Sequence, residues 1–82
     1  MKLYTTTIYD CQTGETILTG IFSDTEQAEA QGRIWVEGVS HHMASVLNRY
    51  VNADGSEVIY YGTSTEKYIV YIDIYTLNEI SY

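Results

Sequence analysis

The sequence predicts an α+β domain of order ββαβββ, an antiparallel sheet of about five strands with one amphipathic helix packed on one face. Three observations lead there: runs of β-branched and aromatic residues bounded by turn sequences, a single segment of helical apolar spacing between two such groups, and no linker, low-complexity tract or internal repeat in 82 residues. A chain of this length buries about 60–65% of its unfolded surface around one core, so residues 1–82 are read as a single domain.

Residues 2–9 (KLYTTTIY) and 15–22 (ETILTGIF) are rich in β-branched and aromatic side chains and flank the polar stretch Asp10-Cys11-Gln12-Thr13-Gly14. That pattern reads as a hairpin, with Gly14 supplying the positive φ of the turn. Ser23-Asp-Thr-Glu26 then matches a capping box, in which the Ser23 hydroxyl accepts from the Glu26 amide and opens a helix. At 100° per residue, Ala28, Gly32, Trp35, Val36, Val39 and Met43 share one stripe, while Glu26, Glu29, Arg33 and Glu37 share the opposite side. Glu29–Arg33 and Arg33–Glu37 are both spaced for i,i+4 pairing. Gly32 weakens the helix by about 1 kcal/mol relative to Ala. Its place on the apolar face predicts close approach to the sheet, with Trp35 as the main core anchor.

Residues 44–52 fit two descriptions. Val39, Met43, Val46, Leu47 and Tyr50 continue a helical seam, but Val46 to Val51, Asn52-Ala-Asp-Gly55 and Glu57-Val-Ile-Tyr-Tyr61 read as strand, Asp-Gly turn and strand, which is favoured. The segment Glu66 to Leu77 has the strongest strand signal and is placed centrally in the sheet. Along it, Tyr68, Val70, Ile72 and Ile74 are expected to face the helix, leaving Ile69, Tyr71, Asp73, Tyr75 and Leu77 on the uncovered side. Tyr60 or Tyr61, with Tyr4, Thr6 and Ile8 of the first strand, are expected to join them. Tyrosine supplies large apolar area and a polar tip to protein interfaces, though it also fills half-exposed cross-strand positions in ordinary sheets.

Eleven acids against four bases give a formal charge of −7, and nine of the eleven aromatic residues are tyrosine. Lys2, Arg33, Arg49 and Lys67 form no basic stripe, which argues against direct nucleic-acid binding and toward a basic partner or none. Arg33 and Lys67 are expected to neutralise neighbouring acids. Cys11 is the only cysteine, so no internal disulfide forms and no thiolate cluster holds a metal. No apolar h-region opens the chain and no run reaches about 18 apolar residues, so a cytoplasmic protein is expected.

Motifs for chemistry are few. His41 and His42 are adjacent and therefore diverge on a helix or strand, which favours two polar residues at a helix end over a metal pair. Cys11 beside Asp10 has no thiolate-stabilising neighbour in sequence, and the six glycines form no phosphate-binding loop. The carboxylates are too dispersed for a calcium loop. No catalytic, cofactor or metal residues are assigned, and an enzyme built on Cys11 or His42 is only a residual reading.

A small, acidic, tyrosine-rich α+β domain of this kind resembles, in size, charge and architecture, phage accessory proteins of the anti-CRISPR and DNA-mimic type. The resemblance implies a stoichiometric inhibitor that covers the positively charged nucleic-acid channel of a host CRISPR effector in the host cytoplasm. Glu26, Glu29 and Glu37, with Asp54 and Glu57, would then meet Lys and Arg side chains, and Ile69, Tyr71, Asp73 and Tyr75 would complete the contact. The alternative is a self-associating structural or scaffold domain, a homodimer formed through its open tyrosine-rich face or an edge strand.

Overall fold

Two turns built on left-handed glycines, Gly14 at φ 76° and Gly55 at φ 92°, organise the chain, which a computed structural model describes over residues 2–76. The elements are β1 (Lys2–Asp10), β2 (Thr16–Phe22), α1 (Thr25–Ser40), β3 (Ser45–Val51), β4 (Glu57–Gly62) and β5 (Lys67–Thr76). The strands form one antiparallel sheet in the order β2-β1-β5-β4-β3, and α1 packs on β1, β2 and β5. The ββαβββ order and the central place of β5 are as the sequence predicts. Leu77, expected on the same strand, lies outside the described residues.

The first turn closes through Asp10 N–H to the Glu15 carbonyl at 2.9 Å and Gly14 N–H to the Asp10 carbonyl at 2.8 Å. Gln12 Oε1 accepts from the Lys67 amide at 2.7 Å, which ties that turn to the start of β5. The second closes through Gly55 N–H to the Asn52 carbonyl at 2.9 Å. The favoured strand reading of 45–51 therefore holds, and the reason the helix stops is local. His41 takes the left-handed conformation at φ 59° and donates its N–H to the Glu37 carbonyl, while the Glu37 carboxylate accepts from the Ala44 amide at 2.8 Å and turns the chain into β3.

The helix begins one residue later than the Ser23 cap predicts. Asp24 is the N-cap, its carboxylate accepting from the Gln27 amide at 2.7 Å. Aspartate caps as well as serine, and the Asp24-Thr-Glu-Gln27 spacing offers the same geometry one step along.

The core comprises Ile8, Ala28, Val36, Ala44, Ile59, Tyr61, Tyr68, Val70 and Ile72, with Tyr4, Phe22 and Trp35 packed partly against it. Small residues form the helix contact: Ala28, Gly32, Val36 and Ser40 are buried. A Cβ on Gly32 would lie 2.8 Å from Val70 Cγ1 and 3.2 Å from Thr6 Cγ2, so the predicted close approach is present. Thr6 Oγ1 also donates to the Ala28 carbonyl at 2.8 Å. Because the helix lies this close, Trp35 fits beside the core and does not anchor it. Val39 and Met43, expected on the buried stripe, are exposed; Met43 lies beyond the end of the helix.

Candidate functional site

Sidedness follows from pairing, since residues directly opposite one another in an antiparallel sheet share a face. Thr6 pairs with Ile72, Ile8 with Val70 and Tyr4 with Ile74, and Val70 in turn pairs with Ile59. Thr6, Ile8, Ile59, Val70 and Ile72 are buried beneath the helix side. This corrects the expectation that Tyr4, Thr6 and Ile8 join the open face. Of the two adjacent tyrosines in β4, Tyr60 is on the open face and Tyr61 in the core.

The open face is made of cross-strand rows. The central row runs Leu18–Thr7–Tyr71–Val58–Tyr50, and the next runs Thr16–Tyr9–Ile69–Tyr60–Asn48. On the other side of the centre lie Ile21, Thr5 and Asp73, then Leu3 and Tyr75. Ile69, Tyr71, Asp73 and Tyr75, the four β5 residues expected on the uncovered side within the described chain, thus share one surface. So do five of the nine tyrosines, at 9, 50, 60, 71 and 75.

Leu18 and Ile21 are each 62% exposed and Tyr75 56%, so the face is apolar as well as aromatic. Tyr50 and Tyr60 meet edge to face with ring centroids 5.8 Å apart, and the Tyr50 hydroxyl accepts from Asn48 Nδ2 at 2.7 Å. These contacts fix two of the rings before any partner arrives. Among the described residues, the hydroxyls of Tyr9, Tyr60, Tyr71 and Tyr75 have no protein partner, and Asp73 and the terminal Lys67 are the charges on this face.

Apart from Asp73, the carboxylates proposed for the same contact lie elsewhere. Glu29 is ion-paired to Arg49 of β3, and Glu57 lies 3.5 Å from the same guanidinium. Glu37 is 3.9 Å from Arg33 and holds the Ala44 amide. The expected Glu29–Arg33 pair is replaced because Arg49 reaches Glu29 from the sheet. Lys67, expected to neutralise a neighbour, makes no ion pair among the described residues. Asp54, at the β3–β4 tip, accepts from the Ser56 amide at 2.9 Å and from its hydroxyl, and these bonds hold its carboxyl below the usual carboxylate range. Glu26 is exposed on the helix without a hydrogen bond or ion pair among the described residues. The helix acids and Glu57 therefore occupy one side of the sheet and the tyrosine face the other. Alternation on β4 and β5 makes the tyrosine face legible in the sequence, whereas Arg49 as the organiser of the acids depends on a contact 20 residues away.

Cys11 is exposed in the first turn, and His41 and His42 are exposed at the helix end. Among the described residues there is no enclosed pocket, no metal-competent cluster of His, Cys, Asp or Glu, and no helix long and apolar enough to cross a membrane. No protein-family model matches the chain, and neither the curated proteins nor the solved structures contain a significant match to it.

Proposed function

We propose that the chain is a non-enzymatic protein-binding module whose contact surface is the open sheet face. The observation that carries this reading is the gathering of five tyrosines with Leu18, Ile21 and Ile69 on the sheet face opposite the helix, where, among the described residues, Asp73 is the one carboxylate. A sheet face meant only for water alternates to polar side chains, whereas rigid aromatic rings with polar tips bury large area at low entropy cost.

In its inhibitory form the module covers a basic host protein, such as the nucleic-acid surface of a CRISPR effector. The tyrosines grip in that case, and the net charge of −7 accelerates encounter. Glu29, Glu37 and Glu57 already hold arginines or a backbone amide, so Glu26, Asp54 and Asp73 are the carboxylates of the proposed set free of ion pairs inside the described fold. This weights the reading toward apolar contact with electrostatic steering, and away from a row of phosphate-like charges.

Affinity capture with two variants tests it. Ile69→Lys with Tyr71→Lys abolishes partner binding under this reading, while Glu26→Gln with Asp54→Asn slows association and leaves dissociation nearly unchanged. Full binding by the Ile69/Tyr71 variant, with native circular dichroism, would sink the proposal.

A further inference from the structure

We infer that the open sheet face is covered by a second copy of this chain, packed face to face about a two-fold axis that runs along the Leu18–Tyr71–Tyr50 row. The inference rests on the reading of that face as a protein-binding surface and names its occupant.

Charge distribution is the first argument. Among the described residues, a basic partner seated on this face would meet Asp73 as its one carboxylate, because Glu26, Glu29, Glu37 and Glu57 lie on the helix side. A second copy brings an equally charge-poor surface, and Glu26, Glu29, Glu37 and Glu57 of both copies lie on the sides away from the contact.

Self-complementarity is the second, and it selects the axis. Asp73 sits on one side of the central row, two residues from Tyr71, and Ile69 sits two residues away on the other side, flanked by Tyr60 on β4 and Tyr9 on β1. An axis along the central row exchanges those two sides. Asp73 of one copy then lies over Ile69 of the other, in a row that also carries Tyr9 and Tyr60 and holds no carboxylate among the described residues. An axis along β5 would set the two Asp73 carboxylates against each other, which costs both desolvation and repulsion.

Area is the third. With the axis on the central row, β5 overlaps the second copy over about nine residues, β1 over about seven, β2 over about five, and β3 and β4 over about three each, which at about 4.8 Å strand spacing and about 3.3 Å per residue gives a footprint of about 430 Å² per copy. Two copies bury about 860 Å² from the strands before side-chain relief is counted, the size of a weak, reversible interface. Two twisted sheets stack in this way with strands about 30° from alignment, giving helix, sheet, sheet and helix in four layers.

Sedimentation velocity at about 100 µM, a concentration that populates dimers of micromolar dissociation constant, tests the inference. Wild type is expected to sediment at twice the 9.3 kDa chain mass, and Tyr71→Lys weakens the dimer at least about tenfold. Because both copies are acidic, raising salt from about 50 to about 500 mM tightens a self-dimer, whereas it loosens a complex with a basic protein. In a Cys11→Ser background, chains bearing Asp73→Cys and chains bearing Ile69→Cys cross-link to each other on mild oxidation. The Asp73→Cys chain alone does not, and its efficient self-cross-linking overturns the axis.

A wild-type monomer at both salt concentrations, or a dimer untouched by a folded Tyr71→Lys variant, overturns the inference. A monomer that binds another protein through Ile69 and Tyr71 overturns the second copy alone and leaves the protein-binding reading standing.

Discussion

Arg49 of β3 and Glu29 of α1 join through both guanidinium Nη atoms and both carboxylate oxygens, with Nη1 3.1 Å from Oε2. The helix packs chiefly on β1, β2 and β5, so this pair is the charged tie between it and the outer strand of the β3–β4 hairpin. Glu57 lies 3.5 Å from the same guanidinium, so one cation separates two carboxylates. The Glu29 hydrogen bond and the charges of Glu29 and Glu57 hold the guanidinium proton more tightly than usual.

Replacing Arg49 with Met is expected to cost about 1 kcal/mol, the upper range for a part-exposed pair, because it also leaves Glu29 and Glu57 facing each other. Urea unfolding measures this. Adding Glu29→Gln to Arg49→Met recovers part of the loss, and salt narrows the gap between wild type and Arg49→Met. An unchanged midpoint for Arg49→Met would show that the tie carries no stability.

Two helix glycines make opposite predictions for one substitution. Gly38 has no neighbour within 4 Å of an added Cβ, so Gly38→Ala gains up to about 1 kcal/mol of helix propensity. Gly32 has Val70 Cγ1 at 2.8 Å, and Gly32→Ala sets the same gain against an overpacking cost of about 1–3 kcal/mol. Gly32→Ala is therefore expected to destabilise, and the double variant with Val70→Ala to lose less than the sum of the two singles. Thermal unfolding of the four chains decides it, and a stabilised Gly32→Ala would show that the helix can rise off the sheet freely.

The cap offers a similar contrast. Asp24→Ala loses the 2.7 Å bond to the Gln27 amide and is expected to cost about 1 kcal/mol. Ser23→Ala removes a side chain outside the cap and stays within about 0.5 kcal/mol of wild type. Equal losses in the two denaturation midpoints would place the cap at neither residue alone.

These details show where sequence pattern is informative and where it stops. The turns at Gly14 and Gly55 and the alternation of β5 follow local rules, because a turn needs its residue types and a central strand needs its apolar set. β1 has no such asymmetry. Leu3, Thr5, Thr7 and Tyr9 on one parity and Tyr4, Thr6 and Ile8 on the other are nearly equal in hydropathy, so its sidedness is set by pairing with β5. The helix misleads in a related way. Hydropathy favours Trp35, Val39 and Met43, but the close approach at Gly32 selects small side chains, and the left-handed His41 ends the helix before Met43. The candidate surface is legible on β5 and obscure on β1 for the same reason. Its separation from the helix acids is a property of the layer, visible once α1 is known to lie on the other side.

Alkaline pH supplies the last test, through two buried tyrosines on the helix side. The Tyr68 hydroxyl donates to the Glu66 carboxylate, and burial, followed by that hydrogen bond, pushes its pKa far above the ordinary tyrosine value. Burial, then the charge of Glu29, raises Tyr61 as well. In the unfolded chain both phenols ionise at about pH 10. Above that pH the unfolded state binds fewer protons than the folded state, so the stability these groups contribute is complete below about pH 10 and is lost as pH rises toward their folded values. Tyrosinate absorbance followed alongside circular dichroism is expected to show Tyr61 and Tyr68 ionising only as the fold is lost. Tyr68→Phe, which cannot ionise, is expected to flatten the alkaline fall in stability. The same alkaline absorbance change in wild type and in a Tyr61→Phe, Tyr68→Phe variant until both have lost their native dichroism would support the assignment of Tyr61 and Tyr68 as proton-holding core groups, and a larger change in wild type while its dichroism is still native would refute it.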